Sequence, residues 1–208
     1  MFRDLDDTIK ALLETHATPG TELASAPISF DLPDAAWRSS VLALTVNCYL
    51  YDIRQNAAMR TNEPIIVELP DPQDPTKLRR TRVTPHARID CAYCVTAWSA
   101  AVSGESGPGA AYEEHRLLSQ VLRVFLRHST IPPGVLQGEL VGQPAPFPGI
   151  IASQDGVRNI PEFWSALEQK LKPSLNYVIT LAMMVEDLPT YNQMPDRVTA
   201  INVTADHP

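Results

Sequence analysis

The chain has 208 residues, of which 44% are hydrophobic, and it carries a formal net charge of −7 at pH 7. This length and composition suffice for one sizeable hydrophobic core. The acidic balance argues against nucleic acid as a partner, because phosphate contacts require a basic surface.

Targeting signals are also absent from the sequence pattern. No stretch approaches the roughly 20 consecutive apolar residues that span a bilayer, so we expect no membrane insertion. The acidic N-terminus lacks the apolar run of a signal peptide. Three cysteines lie inside apparent strands, as is typical of buried thiols in a reducing compartment. We therefore expect a cytoplasmic protein.

The first elements are predicted from periodicity. Residues 3–17 should form a helix, because apolar side chains keep helical spacing and three aspartates occupy the first turns. A short extended segment at 28–30 precedes a long strand from Val41 to Ile53, which we expect to bend near Asn47.

Two hairpin arms are predicted, at about 64–84 and 134–154. In the first, apolar and basic limbs flank a segment rich in proline and aspartate, which favours a turn. In the second, residues 135–141 and 149–153 flank the proline-rich run GQPAPFP. Because both arms are bounded by prolines, we expect them to protrude as stiff hairpins.

The centre of the fold is predicted at residues 89–127. The strand from Ile89 to Trp98 is apolar on both faces, so it needs cover on both sides and should be central. A long amphipathic helix from Glu113 to Arg127 follows a glycine-rich break.

The last elements complete one domain. A short helix opens near Asn159, and residues 175–185 read as a final core strand apolar on both faces. Residues 187–208 form a C-terminal tail, in which 198–203 could be a terminal edge strand. Taken together, the elements predicted in residues 1–186 indicate a single α/β (α+β) domain with a mixed β-sheet covered by two or three helices.

Motifs for metal, redox or nucleophilic chemistry are weak. Cys91 and Cys94 are three positions apart on a strand, so their side chains should point to opposite faces, which favours structural thiols. The run Glu113-Glu114-His115-Arg116 lacks the second histidine of a zinc-binding helix, so His115 is better explained as a hydrogen-bonding residue at a helix start. We therefore predict no catalytic residues, no metal site and no cofactor.

A polar corner follows the second strand. Asp52, Arg54 and Asn56 combine a carboxylate, a guanidinium and an amide, which could form a small site. A buried ion pair that fixes the strand end, or a contact across a subunit boundary, explains the same residues more simply.

Two clusters of arginine stand out in this acidic chain. Arg116, Arg123 and Arg127 fall on the side of the long helix opposite its apolar stripe, as a basic ridge. The second limb of the first hairpin carries a further set, Arg79, Arg80 and Arg82. Both clusters could be solvated surface, but arginines on stiff elements also fit a docking surface for an acidic protein.

Three stretches of the sequence, in a fixed order, carry a family resemblance. They are ISFDLPDAAW with NCYLYDIRQN (28–56), IDCAYCVTAW with EEHRLLSQVLRVFLRH (89–128), and KPSLNYVITLAM (172–183). Together they resemble the N-terminal domain of the cap, or tail-terminator, proteins of extracellular contractile injection systems, which are phage-tail-like particles.

The resemblance implies a small α/β fold like that of phage tail terminators. It also implies a homo-hexameric ring on the end of the inner tube and sheath, which stops further addition and holds the sheath extended. The matching polar residues are expected to serve subunit or tube contacts; they are Asp52, Arg54, Asn56, His115 and Arg116. Larger members carry an additional C-terminal domain, so the resemblance does not extend to functions located there, such as membrane contact.

Two other functions stay open from the sequence. The chain could be an adaptor or baseplate-side structural protein of a phage-like particle, or a small-molecule enzyme that uses the corner of Asp52 and Arg54. A further hypothesis is that the 65–83 hairpin and the 187–208 tail reach neighbouring subunits or the sheath by adding strands to their sheets.

Overall fold

The computed structural model describes residues 1–61, 63–71, 73–74, 78–100, 109–144, 146–152, 156–157 and 159–183. The chain divides into two compact units. The first unit comprises residues 1–60 and 87–183, and the second comprises 61–86 and 184–208. The predicted edge strand at 198–203 lies outside the described residues.

The helices and strands have the following bounds. The helices are α1 (Phe2–His16), α2 (Ala35–Ser40), α3 (Ala110–Arg127) and α4 (Ile160–Ala166). The strands are β1 (Ile28–Ser29), β2 (Thr45–Gln55), β3 (Ile65–Pro70), β4 (Leu78–Val83), β5 (Ala87–Trp98), β6 (Gly149–Ile151) and β7 (Leu175–Met183).

Five of these strands form the main sheet, in the order β1-β2-β5-β7-β6. The short strand β1 runs parallel to β2, and the other neighbours are antiparallel. The predicted mixed sheet is therefore confirmed. The strand β5 lies in the middle, as its apolar character on both faces predicted.

One face of the sheet packs against α1 and α3. Leu5 and Ile9 from α1 and Val121 and Phe125 from α3 are fully buried in this core. The ring of Phe125 stacks on Tyr177 of β7, with centroids 3.9 Å apart. Both helices lie on the sheet because their apolar side chains recur at helical spacing, so that each helix presents one apolar stripe.

The opposite face packs against α2 and α4 through tryptophan. Trp98 from β5 contacts Trp37 of α2 edge to face and lies 6.2 Å from Trp164 of α4. The carboxylate of Asp34 accepts a hydrogen bond from the Trp37 backbone N–H at 2.7 Å, which caps α2. Two or three covering helices were predicted; α2 is the additional one, and its six residues are too few for a periodic pattern.

The strands β3 and β4 form a separate two-stranded antiparallel sheet, from Ile65 opposite Val83 to Pro70 opposite Leu78. They are the two limbs predicted for the first hairpin. A two-stranded sheet without further cover is only marginally stable in water.

The prediction of a second hairpin is wrong. Residues 133–135 and 138–142 form short 3-10 helices, and only Gly149–Ile151 is a strand. That strand pairs with β7. Each of the two 3-10 helices buries one apolar side chain against the main core, Val135 from the first and Leu140 from the second.

The long second strand also differs from its prediction. It begins at Thr45, because Val41 closes α2, and it extends to Gln55. Its irregularity is a bulge between Leu50 and Asp52, where Tyr51 has no partner in the register with β5. Asn47 is fully buried within regular pairing, and its side-chain amide donates to the Asp31 carbonyl at 2.9 Å.

Candidate interaction surfaces

The outward face of α3 carries the predicted basic ridge. Arg116, Arg123 and Arg127 are all exposed, while the apolar stripe of the helix is buried. Tyr112 is 84% exposed and Leu126 is 61% exposed. Positions 112, 116, 119 and 123 follow one another at steps of three or four residues, and 126 and 127 lie three and four positions beyond 123. These six positions therefore form one continuous α3 stripe, in which large apolar side chains flank the arginines.

Arg116, one helical turn after Tyr112 in this stripe, is held in place by contacts with the residues that precede β1. Its guanidinium forms an ion pair with Glu22, which also accepts a hydrogen bond from the Gln120 side chain. Gln120 in turn accepts from the backbone N–H of Leu23 at 2.9 Å. Among the described residues, neither Arg123 nor Arg127 forms an ion pair, so these two guanidinium groups keep their full hydrogen-bonding capacity for a partner.

His115 lies on α3 but not at the helix start. The helix begins at Ala110, after Gly109 in the left-handed conformation at φ 93°, so His115 is in the second turn. Its side chain is exposed and lines a surface depression with Tyr112, Arg116 and Ser119. The predicted role of His115 in a contact stays a prediction.

Asp52 and Arg54 lie within β2 and not after it. The Arg54 Nε is 2.6 Å from the Asp52 carboxylate, and the two side chains share one face because they are two positions apart. The Arg54 side chain is 70% exposed, so the first of the two explanations, a buried ion pair, is wrong within one subunit. The second, a contact across a subunit boundary, stays a prediction. The pair lies on the strand edge that β1 covers only at Val46 and Asn47.

Asn56 belongs to a different network, which ties three strands together. Its amide Nδ2 donates to Asp90 of β5 at 3.1 Å, and the Thr180 hydroxyl of β7 donates to the same carboxylate oxygen at 2.6 Å. Its own Oδ1 accepts from the Met59 backbone N–H at 3.0 Å. These contacts already engage both ends of the Asn56 amide.

The three arginines of the hairpin do not form one cluster. Strand alternation places Arg80 and Arg82 on one face and Arg79 on the other. Arg80 forms an ion pair with Glu68 at 3.1 Å directly across the ladder. Ile66 and Leu78 share the face of Arg80 and are 69% and 68% exposed, which gives the hairpin a mixed apolar and basic surface.

The three thiols have no described partner for redox or metal chemistry. Cys91 contributes to the core under α1 and α3, and Cys94 to the core under α2 and α4, as predicted from their spacing. Burial raises the pKa of the Cys91 thiol to about 12 and that of Cys94 to about 11. Burial likewise raises the pKa of Cys48. Thiols with such pKa values are poor nucleophiles at neutral pH.

Sequence analysis did not predict a buried network of charged side chains on the inner side of α3. The Glu114 carboxylate accepts from the Lys172 ammonium at 2.6 Å and from the Ser99 backbone N–H and hydroxyl at 2.9 and 3.0 Å. The Lys172 ammonium also lies 4.3 Å from the ring centre of Trp98. Glu114 is on the buried side of the helix by its phase, which is the one signal that could have identified it.

Neither a membrane span nor a metal cluster is found in the parts of the chain that the structure describes. No helix there is long and apolar enough to cross a bilayer. Those residues also contain no group of three or more His, Cys, Asp or Glu side chains that could hold a metal ion.

Known proteins match this chain in family and fold. The model of the Pvc16 N-terminal domain family matches residues 4–197. Among curated proteins, none matches the chain.

Two solved structures share the fold. One is the sheath/tube terminator of an extracellular contractile injection system, PVC, in the extended state; it is 20% identical with a TM-score of 0.63. The match covers 100% of this chain and 64% of that one. The other is the tube-terminating cap of the anti-feeding prophage, 19% identical with a TM-score of 0.61, covering 96% of this chain and 60% of that one. This chain therefore spans about three fifths of the length of either structure.

Proposed function

This chain belongs to the Pvc16 N-terminal domain family, and we propose that it is the structural cap of a contractile injection system. In that role it ends polymerisation of the inner tube and sheath and stabilises the extended sheath. The observation that carries the proposal is the fold: two solved structures of such terminators match 100% and 96% of this chain.

The cap acts as a homo-hexameric ring on the end of the tube. A closed ring requires a heterologous contact, in which one surface of a subunit meets a different surface of the next. The exposed stripe on α3 supports this, because arginine and tyrosine are the residue types that dominate binding energy in protein interfaces. Arg123 and Arg127 supply the charge, and Tyr112 and Leu126 supply apolar area.

Contacts with tube and sheath use the remaining exposed features. The ion pair of Asp52 and Arg54 lies on an edge of β2 that, in the described part of the chain, pairs with β1 at two positions, and such an edge can pair with an extended segment of another chain. The hairpin face with Ile66 and Leu78 exposes apolar side chains, which a partner would bury. Asn56 stabilises the fold of its own subunit through its hydrogen bond to Asp90.

The proposed role is mechanical and not catalytic. The carboxylate of Asp90 on the sheet is engaged within the subunit, because it accepts hydrogen bonds from Asn56 and Thr180. The buried thiols have raised pKa values and so lack nucleophilic character. The ring assembles in the cytoplasm and then forms part of the particle.

Electron microscopy of particles tests the proposal. Particles are purified from cells with the gene, without it, and with the gene restored, and their lengths and ends are compared by negative staining. We expect frayed, overlong or prematurely contracted tubes without the gene. Particles of normal length with normally sealed ends would refute the cap function, and a label on the protein at the baseplate end would identify an adaptor.

A further inference from the structure

Two arginines of the α3 stripe, Arg123 and Arg127, form no ion pair among the described residues, and the C-terminal segment of the chain has the complementary charge. Residues 184–208 contain four acidic residues and one arginine, so they carry three of the seven net negative charges in 25 of 208 residues. The pair Glu186-Asp187 is followed closely by the apolar side chains Leu188 and Tyr191. Acidic and apolar groups together match a stripe of arginine flanked by tyrosine and leucine.

We propose that residues 184–208 of one copy bind across the exposed α3 stripe of the next copy. This inference rests on the proposed ring, because it names the partner of one of its surfaces. The acidic side chains meet Arg123 and Arg127, which have no ion pair among the described residues. Apolar side chains of the segment cover Tyr112 and Leu126, which are 84% and 61% exposed.

Geometry and symmetry both permit binding between copies. A segment of 25 residues can extend to roughly 80 Å, whereas a folded domain of this size has a radius of gyration of about 16 Å. A segment that meets a different surface on the next copy is a heterologous contact, which is the kind that closes into rings. Arg116 lies inside the stripe but is already paired with Glu22, so it adds less to binding.

Charge reversal in the full-length protein tests the contact. One variant reverses the stripe, Arg123→Glu with Arg127→Glu, and a second reverses the segment, Glu186→Arg with Asp187→Arg. A control with the same charge change as the stripe variant uses Lys10→Glu with Lys170→Glu, two exposed lysines outside α3, on α1 and after α4. Self-association is measured by sedimentation velocity, and circular dichroism checks that each variant is folded.

Each reversed variant alone should associate at least about tenfold more weakly than the wild type, and the control should not. An equimolar mixture of the two reversed variants should regain association, because opposite charges then meet only between different copies. Failure of the mixture to recover would place the contact within one chain and overturn the proposal. So would unchanged association of either variant, an equal loss in the control, or a monomeric wild type.

Measuring particle length distinguishes a failure of the proposed contact from a failure of the proposed cap function. If the stripe-reversed variant associates weakly and still produces particles of normal length, the contact is dispensable for capping and the cap function stands. If deletion of the gene leaves particles unchanged, the cap function fails, and the sedimentation result still decides the contact.

Discussion

The buried carboxylate of Glu114 gives the sharpest stability prediction. Its side chain is 10% exposed, and that of its partner Lys172 is 16% exposed. The substitution Glu114→Ala leaves the Lys172 ammonium and the Ser99 N–H without their acceptor. Breaking a buried pair in this way costs about 3–5 kcal/mol. Because domains are stable by only about 5–15 kcal/mol, this variant should lose a large share of its free energy of unfolding.

Urea denaturation of four proteins measures this coupling. They are the wild type, Glu114→Ala, Lys172→Met and the double variant. The double variant should be more stable than the sum of the two single losses predicts, because removing both charges leaves neither one unpaired. Glu113→Ala, at an exposed position one residue earlier, should change stability by no more than about 0.5 kcal/mol. A loss below about 1 kcal/mol in Glu114→Ala, or additive losses in the double variant, would refute this reasoning.

The ion pair of Glu114 and Lys172 also makes the stability of the protein depend on pH. Burial by itself would raise the pKa of Glu114, but hydrogen bonds from Lys172 and Ser99 outweigh it and hold the pKa below its ordinary value. A carboxyl group with a lowered folded-state pKa stabilises the fold above its unfolded pKa, about 4.3, and loses that contribution as the pH falls through the folded value. The stability difference between wild type and Glu114→Gln should therefore shrink below about pH 4.3.

Three further predictions concern other parts of the chain. Asp90→Ala should lower the free energy of unfolding by about 1–3 kcal/mol in urea, because Asn56, just after β2, and Thr180 of β7 lose their acceptor; an unchanged midpoint would contradict the network. Cys91 and Cys94 should resist iodoacetamide at pH 8 in the native protein and react fully in urea, as read by mass spectrometry; rapid native modification would contradict their burial. Arg80→Ala should change stability by less than about 1 kcal/mol, because its pair with Glu68 is exposed.

Long elements with strong periodicity could be predicted from the sequence. The helix α1, the central strand β5 and the helix α3 all lie where their patterns placed them, within a few residues at each end. Short elements could not. Six residues of α2 do not complete two helical turns, and the two 3-10 helices at 133–135 and 138–142 are too short to show any period.

The candidate surface on α3 could be predicted for the same physical reason. Helical periodicity fixes which side chains share a face, so the exposure of Arg116, Arg123 and Arg127 follows from the buried stripe alone. On the hairpin, side chains alternate between the two faces of the strand, so Arg79 and Arg80 point to opposite sides. The prediction of one arginine cluster, which was based on their adjacency in sequence, was therefore wrong.

The family resemblance, the mixed sheet with its central strand and the basic face of α3 can all be predicted from the sequence, because each depends on order and period along the chain. Which charges are buried together depends instead on the packing of elements that are distant in sequence. Glu114 and Lys172 are 58 positions apart, and Asn56 and Asp90 are 34 apart. Their meeting depends on how the strands and helices pack, because local periodicity fixes the face of a side chain but not the element that faces it.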